Sequence, residues 1–271
     1  GQNVSIDRLL WAGNGDFVTA TLSVDTQSYS YHIFDLNLGT DTKISDFYFK
    51  TKHTDALVPT ETVQITARDG MKLNALLLRP KGVDGAAPMV LEVHGEPAGQ
   101  VKWEYHHFRQ FLVNRGYAVL AVNFRGSSGL GKIYQAAGYG KYGRKMQDDL
   151  VDATLWAIDQ GIADPNAIAI NGSSYGGYAS AMGLVHDPDL FKAGIIEHAM
   201  LDVAYQSQYP PHSWGLYLGQ WERYFGDINS PGDMEKMHQR SPINLVAQMQ
   251  AAALMVAGKR DPVVGFEQTE R

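Results

Sequence analysis

Cysteine is absent from this chain, and that absence excludes disulfide bonds, thiolate metal sites and cysteine nucleophiles. Long apolar runs are lacking too, since no stretch approaches the roughly 18 apolar residues that a membrane span needs. The first residues have neither the basic start nor the apolar core of a signal peptide. The sequence therefore predicts a soluble protein with no membrane partner, and it leaves the compartment, cytoplasmic or periplasmic, open.

A surplus of basic charge is also missing. The chain has 29 acidic and 23 basic residues, a net charge of -6, and no long run of either sign. Such a balance disfavours a nucleic acid or an anionic membrane as partner. With 271 residues and 44% hydrophobic content, the chain can bury a substantial core. No metal or other cofactor is implied, and the oligomeric state stays open.

Residues 1–57 have the texture of short strands separated by turns. The segments FVTATLSV, YSYHIFDLN and DTKISDF are rich in β-branched and aromatic residues, and Leu38-Gly39-Thr40 forms a turn between the last two. These segments fit one antiparallel sheet. Because so small a meander cannot enclose a core alone, we interpret residues 1–57 as a single blade of a β-propeller.

From residue 58 onward, apolar runs alternate with segments of helical pattern. After an antiparallel opening pair, the runs have the near-continuous apolar character of strands buried on both faces. The runs are VQITAR, LNALLLRP, PMVLEVH, YAVLAVNF, AIAING, AGIIEH and AALMVAG. The clearest helix extends from Lys145 to Gln160, with Leu150, Leu155 and Ile158 in its apolar stripe. Residues 58–271 are therefore predicted to be an α/β domain with a mostly parallel sheet.

A serine motif follows one of these strands. The sequence NGSSYGGY, residues 171–178, has the Gly-x-Ser-x-Gly spacing of a nucleophile elbow, and this spacing selects Ser174 instead of Ser173. A serine on a sharp turn between strand and helix projects its hydroxyl above the sheet. The glycines on either side allow the helix to approach the strand closely. Ser174 is thus the candidate nucleophile.

Two further elements complete an acyl-transfer site of this kind. The oxyanion hole takes one amide from the residue after the nucleophile and another from the loop after the third strand. Tyr175 supplies the first amide, and the loop at Gly95 and Glu96, after PMVLEVH, supplies the second. The acid follows the serine along the chain, and Asp261 comes just past the run AALMVAG. The sequence therefore predicts Ser174 and Asp261 as catalytic residues.

Together these blocks resemble a known family. VLEVHGEP, RGYAVLAVNFRGSSGLG, the long block around the serine motif, RSPINL and GKRDPVV are similar to the catalytic domain of the prolyl oligopeptidase family of serine peptidases, nearest its acylaminoacyl-peptidase and dipeptidyl-aminopeptidase branch. The resemblance covers about residues 60–271. It implies an α/β-hydrolase domain preceded by a propeller, and hydrolysis of short peptides near their N-termini through an acyl-enzyme.

The chain departs from this family in two places. The oxyanion loop of the family reads His-Gly-Gly-Pro, whereas Glu96 replaces the second glycine here. A carboxylate there opposes a developing oxyanion unless its side chain turns outward. The family's catalytic histidine comes a few tens of residues after the acid, but no histidine follows Asp261 and the chain ends at Arg271. We therefore expect the base to lie beyond Arg271 and the chain as given to be nearly inactive.

Other residues are candidates for contacting the substrate. Arg125, in NFRGSSG, could contact substrate or anchor its own loop. An aromatic cluster that includes Tyr205 and Trp214 could line a pocket for a substrate side chain or form ordinary helix packing. We retain Arg125, Tyr205 and Trp214 as pocket candidates.

Three alternative functions remain to be weighed. Residues 126–132 have the Gly-x4-Gly-Lys spacing of a phosphate-binding loop, but Ile133 replaces the hydroxyl residue that would bind magnesium. A carboxylesterase is closer, because the same elbow and oxyanion hole serve any acyl transfer. The departure at Glu96 and the absent base also leave a non-catalytic fragment or pseudoenzyme open.

Overall fold

The computed structural model of the protein describes residues 4–46, 54–215 and 217–271. Its strands, in chain order, are β1 (Ser5–Trp11), β2 (Phe17–Val24), β3 (Gln27–Asp35), β4 (Thr40–Asp46), β5 (Glu61–Thr66), β6 (Lys72–Leu78), β7 (Ala87–Val93), β8 (Ala118–Asn123), β9 (Ala163–Ser173), β10 (Ala193–Glu197) and β11 (Ala252–Val256). Its α-helices are α1 (His107–Val113), α2 (Lys132–Ala136), α3 (Lys145–Asp159), α4 (Tyr175–His186), α5 (Val203–Gln208), α6 (Leu218–Phe225), α7 (Pro231–Gln239) and α8 (Glu267–Glu270).

The first four strands form one antiparallel sheet in the order β1-β2-β3-β4, so each strand pairs with its neighbour in sequence. The prediction of a small antiparallel sheet ahead of the α/β region is confirmed. FVTATLSV coincides with β2, whereas Phe47, the last residue of the predicted segment DTKISDF, lies outside the described residues. Gly39 has a φ of 65°, as the predicted turn requires.

The sequence pattern did not predict β1. Asp7 and Arg8 interrupt the apolar alternation of this strand, and its pairing with β2 shifts register between Ile6 and Arg8. A bulge places one extra residue in a strand and breaks the period-two signal that a sequence pattern relies on.

The other seven strands form a mostly parallel sheet in the order β11-β10-β9-β7-β8-β6-β5. The opening pair β5 and β6 is antiparallel, as predicted, and β7, β8, β9, β10 and β11 run parallel to one another. Every residue of β8 is buried, and the main core extends from this sheet into α3 and α4. The α/β fold predicted for this region is confirmed.

Two details of the prediction are wrong. In α3, Leu155 is 48% exposed, because the helix turns Ala153 and Ala157 inward together with Met146 and Leu150. The run AALMVAG was expected to be buried on both faces, but all five residues of β11 are exposed. β11 is the edge strand of the sheet and pairs only with β10. In the described ranges, no helix is long and apolar enough to span a bilayer.

Candidate active site

Ser174 lies on a sharp turn between β9 and α4. Its backbone has φ 58° and ψ -118°, a conformation that non-glycine residues rarely adopt and that costs of order 1–3 kcal/mol. The Ser174 amide donates to the Glu197 carbonyl at 2.9 Å, and the Ser174 carbonyl accepts from the Tyr178 amide at 3.0 Å. The side chain is partly exposed. These two backbone bonds hold the strained turn between the strand and the helix.

The glycines around Ser174 permit contacts that no side chain could fit. A β-carbon on Gly172 would lie 2.5 Å from the carbonyl carbon of Gly176, and one on Gly176 would lie 2.1 Å from the carbonyl oxygen of Val93. Both distances are far below van der Waals contact with rigid backbone. The turn therefore requires glycine at both positions, as the nucleophile-elbow interpretation expects.

The loop that follows β7 passes directly beside Ser174. A β-carbon on Gly95 would lie 3.5 Å from the Ser174 β-carbon and 3.0 Å from the Ser173 carbonyl oxygen. Glu96 has a φ of 52° and an exposed side chain. Tyr175 is the first residue of α4, where the amide has no partner within its own helix. The structure thus brings both predicted oxyanion segments to the two sides of the serine turn.

His94 anchors the start of this loop. Its ring stacks on Phe124 with centroids 4.2 Å apart, Nδ1 lies 2.9 Å from the Gly95 carbonyl oxygen, and Nε2 lies 2.9 Å from the Ser127 hydroxyl. Burial lowers the pKa of His94 to about 4. The ring is therefore neutral near pH 7, and it fixes the loop through stacking and hydrogen bonds instead of charge.

Asp261 lies at the same edge of the sheet. The pairing registers align Ser173 of β9 with Glu197 of β10 and Glu197 with Val256 of β11, so the serine turn and the acid loop begin at the same level, two strands apart. Asp261 Oδ1 accepts hydrogen bonds from the amides of Val263 at 2.8 Å and Val264 at 3.0 Å. These amides fix the carboxylate and leave Oδ2 available for a second partner.

His198 is the side chain that approaches this oxygen. Its Nδ1 lies 3.4 Å from Asp261 Oδ2 without forming a hydrogen bond, and its side chain is 38% exposed. His198 follows β10 directly, has a φ of 45°, and donates its amide to the Val256 carbonyl at 2.8 Å. It precedes the acid along the chain, whereas the family's catalytic histidine follows the acid. Its place at the end of the strand between those of Ser174 and Asp261 was the signal that could have identified it.

Arg125 is buried among carboxylates. Its guanidinium contacts Asp149 at 2.6 Å and Asp69 at 2.8 Å, and its own amide donates to Asp149 at 2.8 Å. Burial opposes the charge of Arg125, but the hydrogen bonds to Asp149 and Asp69 raise its pKa. The same guanidinium holds the pKa of Asp69 well below its usual range. These contacts anchor the loop that carries Arg125, and they occupy the guanidinium that would otherwise be free to bind a substrate.

The two aromatic candidates lie in different environments. Trp214 lines a cavity of about 410 Å³ beside the oxyanion loop, where its ring stacks on Trp221 with centroids 4.5 Å apart. Tyr205 packs against Tyr209, with ring centroids 4.9 Å apart, and the Arg271 guanidinium lies over its ring. Of the two, the structure brings Trp214 toward the site and leaves Tyr205 among its helical neighbours.

The described residues give little support for a metal site or a nucleotide site. Across the described ranges, no group of three or more His, Asp or Glu side chains is arranged to hold a metal ion. The glycine-rich loop at residues 126–132 leads into α2, a helix of five residues whose first residue is Lys132. Ile133 is 90% exposed and offers no hydroxyl for a metal-bound phosphate.

Comparison with known proteins then identifies the group to which these features belong. Residues 103–271 match the profile of the prolyl oligopeptidase family. The chain belongs to the prolyl oligopeptidase family. Membership accounts for the α/β-hydrolase sheet, and the resemblance recognised in the sequence is confirmed.

The relatives of this chain include a dipeptidyl aminopeptidase and an acylamino-acid-releasing enzyme. Dipeptidyl aminopeptidase BIII of Pseudoxanthomonas mexicana is 35% identical over 96% of this chain and 40% of its own length. The acylamino-acid-releasing enzyme of Arabidopsis thaliana is 27% identical over 64% of this chain and 23% of its own length. The chain therefore spans less than half the length of these relatives.

A solved structure shares the fold. The crystal structure of puromycin hydrolase superposes with a TM-score of 0.87 at 22% identity, covering 97% of this chain and 40% of that protein. Because the superposition covers β1–β4 as well as the α/β sheet, the same arrangement of a small antiparallel sheet before an α/β-hydrolase sheet occurs in both proteins.

Proposed function

We propose that this chain carries the acyl-transfer site of a serine peptidase that hydrolyses short peptides through an acyl-enzyme, with Ser174 as the nucleophile. The observation that carries the proposal is the strained turn at Ser174, held between two glycines that leave no room for a β-carbon. A protein accepts such strain where a side chain must stand in a position that regular structure does not offer. Ser174 is partly exposed, as a nucleophile that a substrate must reach has to be.

In the proposed mechanism, Ser174 Oγ attacks the scissile carbonyl while an imidazole takes its proton. The amides of Tyr175 and of the Gly95 to Glu96 segment hold the oxyanion of the tetrahedral intermediate. The imidazolium then gives its proton to the departing amine, and water releases the acyl group by the same steps. The exposure of Glu96 to solvent supports this role for the loop, because water screens the repulsion between its carboxylate and the oxyanion.

Asp261 orients the imidazole through Oδ2, the oxygen that the Val263 and Val264 amides leave unused. The family pattern puts the base after the acid, and no histidine follows Asp261 in these 271 residues. Among the described residues, the imidazole that reaches Asp261 is that of His198. His198 is therefore the candidate base that the described residues offer.

The proposed substrates are short peptides, cleaved to release a dipeptide or an acylamino acid. Support comes from the names of the relatives, a dipeptidyl aminopeptidase and an acylamino-acid-releasing enzyme. It also comes from the antiparallel sheet, which fits residues 1–57 as a propeller blade ahead of a peptidase domain at residues 58–271. A carboxylesterase is the alternative, since ester and peptide hydrolysis share every element of the site.

Covalent labelling tests the nucleophile most directly. We expect a fluorophosphonate probe to label the protein, and Ser174→Ala to abolish labelling and lower turnover on the order of a million-fold. Ser173→Ala is the matched control, because Ser173 is the adjacent serine outside the motif spacing, and it should still be labelled. Labelling that survives Ser174→Ala would refute the assignment.

Two further variants test the acid and the base. Asp261→Asn should lower kcat by about 10⁴ while Ser174 remains in place. In the 271-residue chain, His198→Ala separates two possibilities: loss of residual labelling assigns the base to His198, whereas unchanged labelling removes it from the mechanism. Parallel assays with aminoacyl p-nitroanilides and p-nitrophenyl esters then distinguish peptidase from esterase. A protein that hydrolyses only the esters contradicts the peptidase proposal.

A further inference from the structure

The cavity beside the oxyanion loop has an unusual lining. Pro97 and Ala98 of the loop form one wall, and a set of aromatic rings from the segment between β10 and β11 forms the other. The rings are Trp214, Tyr217, Trp221 and Tyr224. The volume of about 410 Å³ is that of a site for a single amino acid side chain or a small ligand.

The cavity is lined by residues that adjoin the proposed catalytic residues. Glu96, at its rim, follows Gly95, whose β-carbon position is 3.5 Å from the Ser174 β-carbon. Val263, on another side, donates its amide to Asp261 Oδ1. A substrate whose carbonyl reaches Ser174 would therefore have an adjacent side chain at the mouth of this cavity.

Glu96 is the one charged side chain among the described residues that line the cavity. It has no ion-pair or hydrogen-bond partner for its carboxylate among the interactions of the described ranges, whereas the nearby Glu92 is paired with Arg109 at 2.9 Å. Glu96 also has a φ of 52°, a region where glycine would avoid strain. Strain accepted for a non-glycine residue indicates that its side chain is used.

From these observations we propose that the cavity selects substrates with a positively charged side chain, lysine or arginine, on the residue that acylates Ser174. The proposal rests on the proposed peptidase function. Trp214 and Trp221 stack on each other, so a cation would meet the face that a ring of this pair turns away from its partner, and the Glu96 carboxylate supplies the opposite charge at the rim. A neutral aliphatic side chain would gain only the apolar contact.

The experiment compares two N-acetylated peptide p-nitroanilides that differ only in lysine or norleucine before the scissile bond. We expect kcat/KM for lysine to exceed that for norleucine by about tenfold or more, a ratio consistent with one cation–π contact plus one ion pair. Glu96→Gln should lower the ratio several-fold, to the part that the aromatic rings alone contribute. Because the ratio is taken within each variant, any effect of Glu96→Gln on the oxyanion amide affects both substrates equally and cancels.

Three variants sharpen the result. Gln220→Glu adds a second carboxylate to the lining and should raise the lysine preference. Trp221→Leu should lower it, although leucine preserves the apolar character. Glu222→Gln, which removes a carboxylate from the same helix but outside the lining, is the matched control and should leave the ratio unchanged. If Glu96→Gln does not fold, Gln220→Glu and Trp221→Leu still test the proposal, because they are expected to shift the lysine-to-norleucine ratio of kcat/KM in opposite directions.

The outcomes separate this inference from the function on which it rests. Wild-type preference for norleucine, or a lysine preference that Glu96→Gln leaves intact, overturns the cation site while fluorophosphonate labelling of Ser174 still supports the peptidase. Preference for a free over an acetylated N-terminus, with no difference between lysine and norleucine, assigns the cation to the substrate's terminal ammonium and also overturns it. Turnover that survives Ser174→Ala overturns the function itself.

Discussion

The two sheets of this protein bury their strands to very different extents. In the four-stranded sheet, β4 is exposed along its whole length and β1 along nearly all of it, whereas every residue of β8 in the seven-stranded sheet is buried. The first sheet is built from neighbouring hairpins, and the second from strands joined through helices that cover it. Among the described glycines, those whose β-carbon would meet backbone atoms lie in the α/β region, and the candidate active site lies at one edge of its sheet.

The glycines at that edge offer the strongest test of this difference. Gly176→Ala places a β-carbon 2.1 Å from the Val93 carbonyl oxygen, so we expect it to lower the free energy of unfolding by about 3 kcal/mol or more. Gly13, in the turn between β1 and β2, has no atom within 4 Å of its β-carbon position, and Gly13→Ala should change stability by less than about 0.5 kcal/mol. Urea unfolding measures both. Equal costs for the two variants would contradict the contrast in packing.

Leucine truncation compares the interiors of the two sheets. Leu120 of β8 has no exposed surface, and Leu120→Ala should cost about 3 kcal/mol through lost burial and the cavity left behind. Leu10 of β1 is 50% exposed, and Leu10→Ala should cost less than about 1 kcal/mol. The same urea titrations apply. If Leu10→Ala proves as damaging as Leu120→Ala, then β1 is covered in solution by a surface outside the described residues.

The smallest expected effect concerns pH. Burial holds the pKa of His94 at about 4, below its usual value near 6.5, so the unfolded chain binds a proton between these values and the folded chain does not. The neutral ring therefore contributes fully to the free energy of unfolding above about pH 6.5. This contribution, no more than about 3 kcal/mol, is lost as the pH falls toward 4. His94→Asn should remove this slope from the pH dependence of unfolding, and His32→Asn, in the first sheet, should retain it. An unchanged slope in His94→Asn contradicts the assignment.

Local signals predicted much of the molecule. The run before Ser174, the glycines beside it and the helical pattern after it all act within ten residues, and the strand, turn and helix occur where the pattern indicated. Asp261 was located by the same logic, as a carboxylate directly after an apolar strand. The roles of Ser174 and Asp261 stay proposals, but their shared edge follows from the register of three parallel strands.

The features that the sequence did not predict depend on contacts between residues that lie far apart along the chain. The exposure of β11 reflects its position at the sheet edge, which the apolar letters AALMV do not encode. The approach of His198 to Asp261 depends on the pairing of β10 with β11 across more than fifty intervening residues. Similarly, the occupation of Arg125 by Asp69 and Asp149 joins three segments that no local motif connects.

The rings that line the cavity belong to the long segment between β10 and β11, whereas Ser174 and Asp261 follow the ends of β9 and β11, whose positions the sheet fixes. Substitutions in that segment can change the lining of the cavity without displacing either strand end. Under the proposed function, the residues that select a substrate would therefore be separable by mutation from those that react with it.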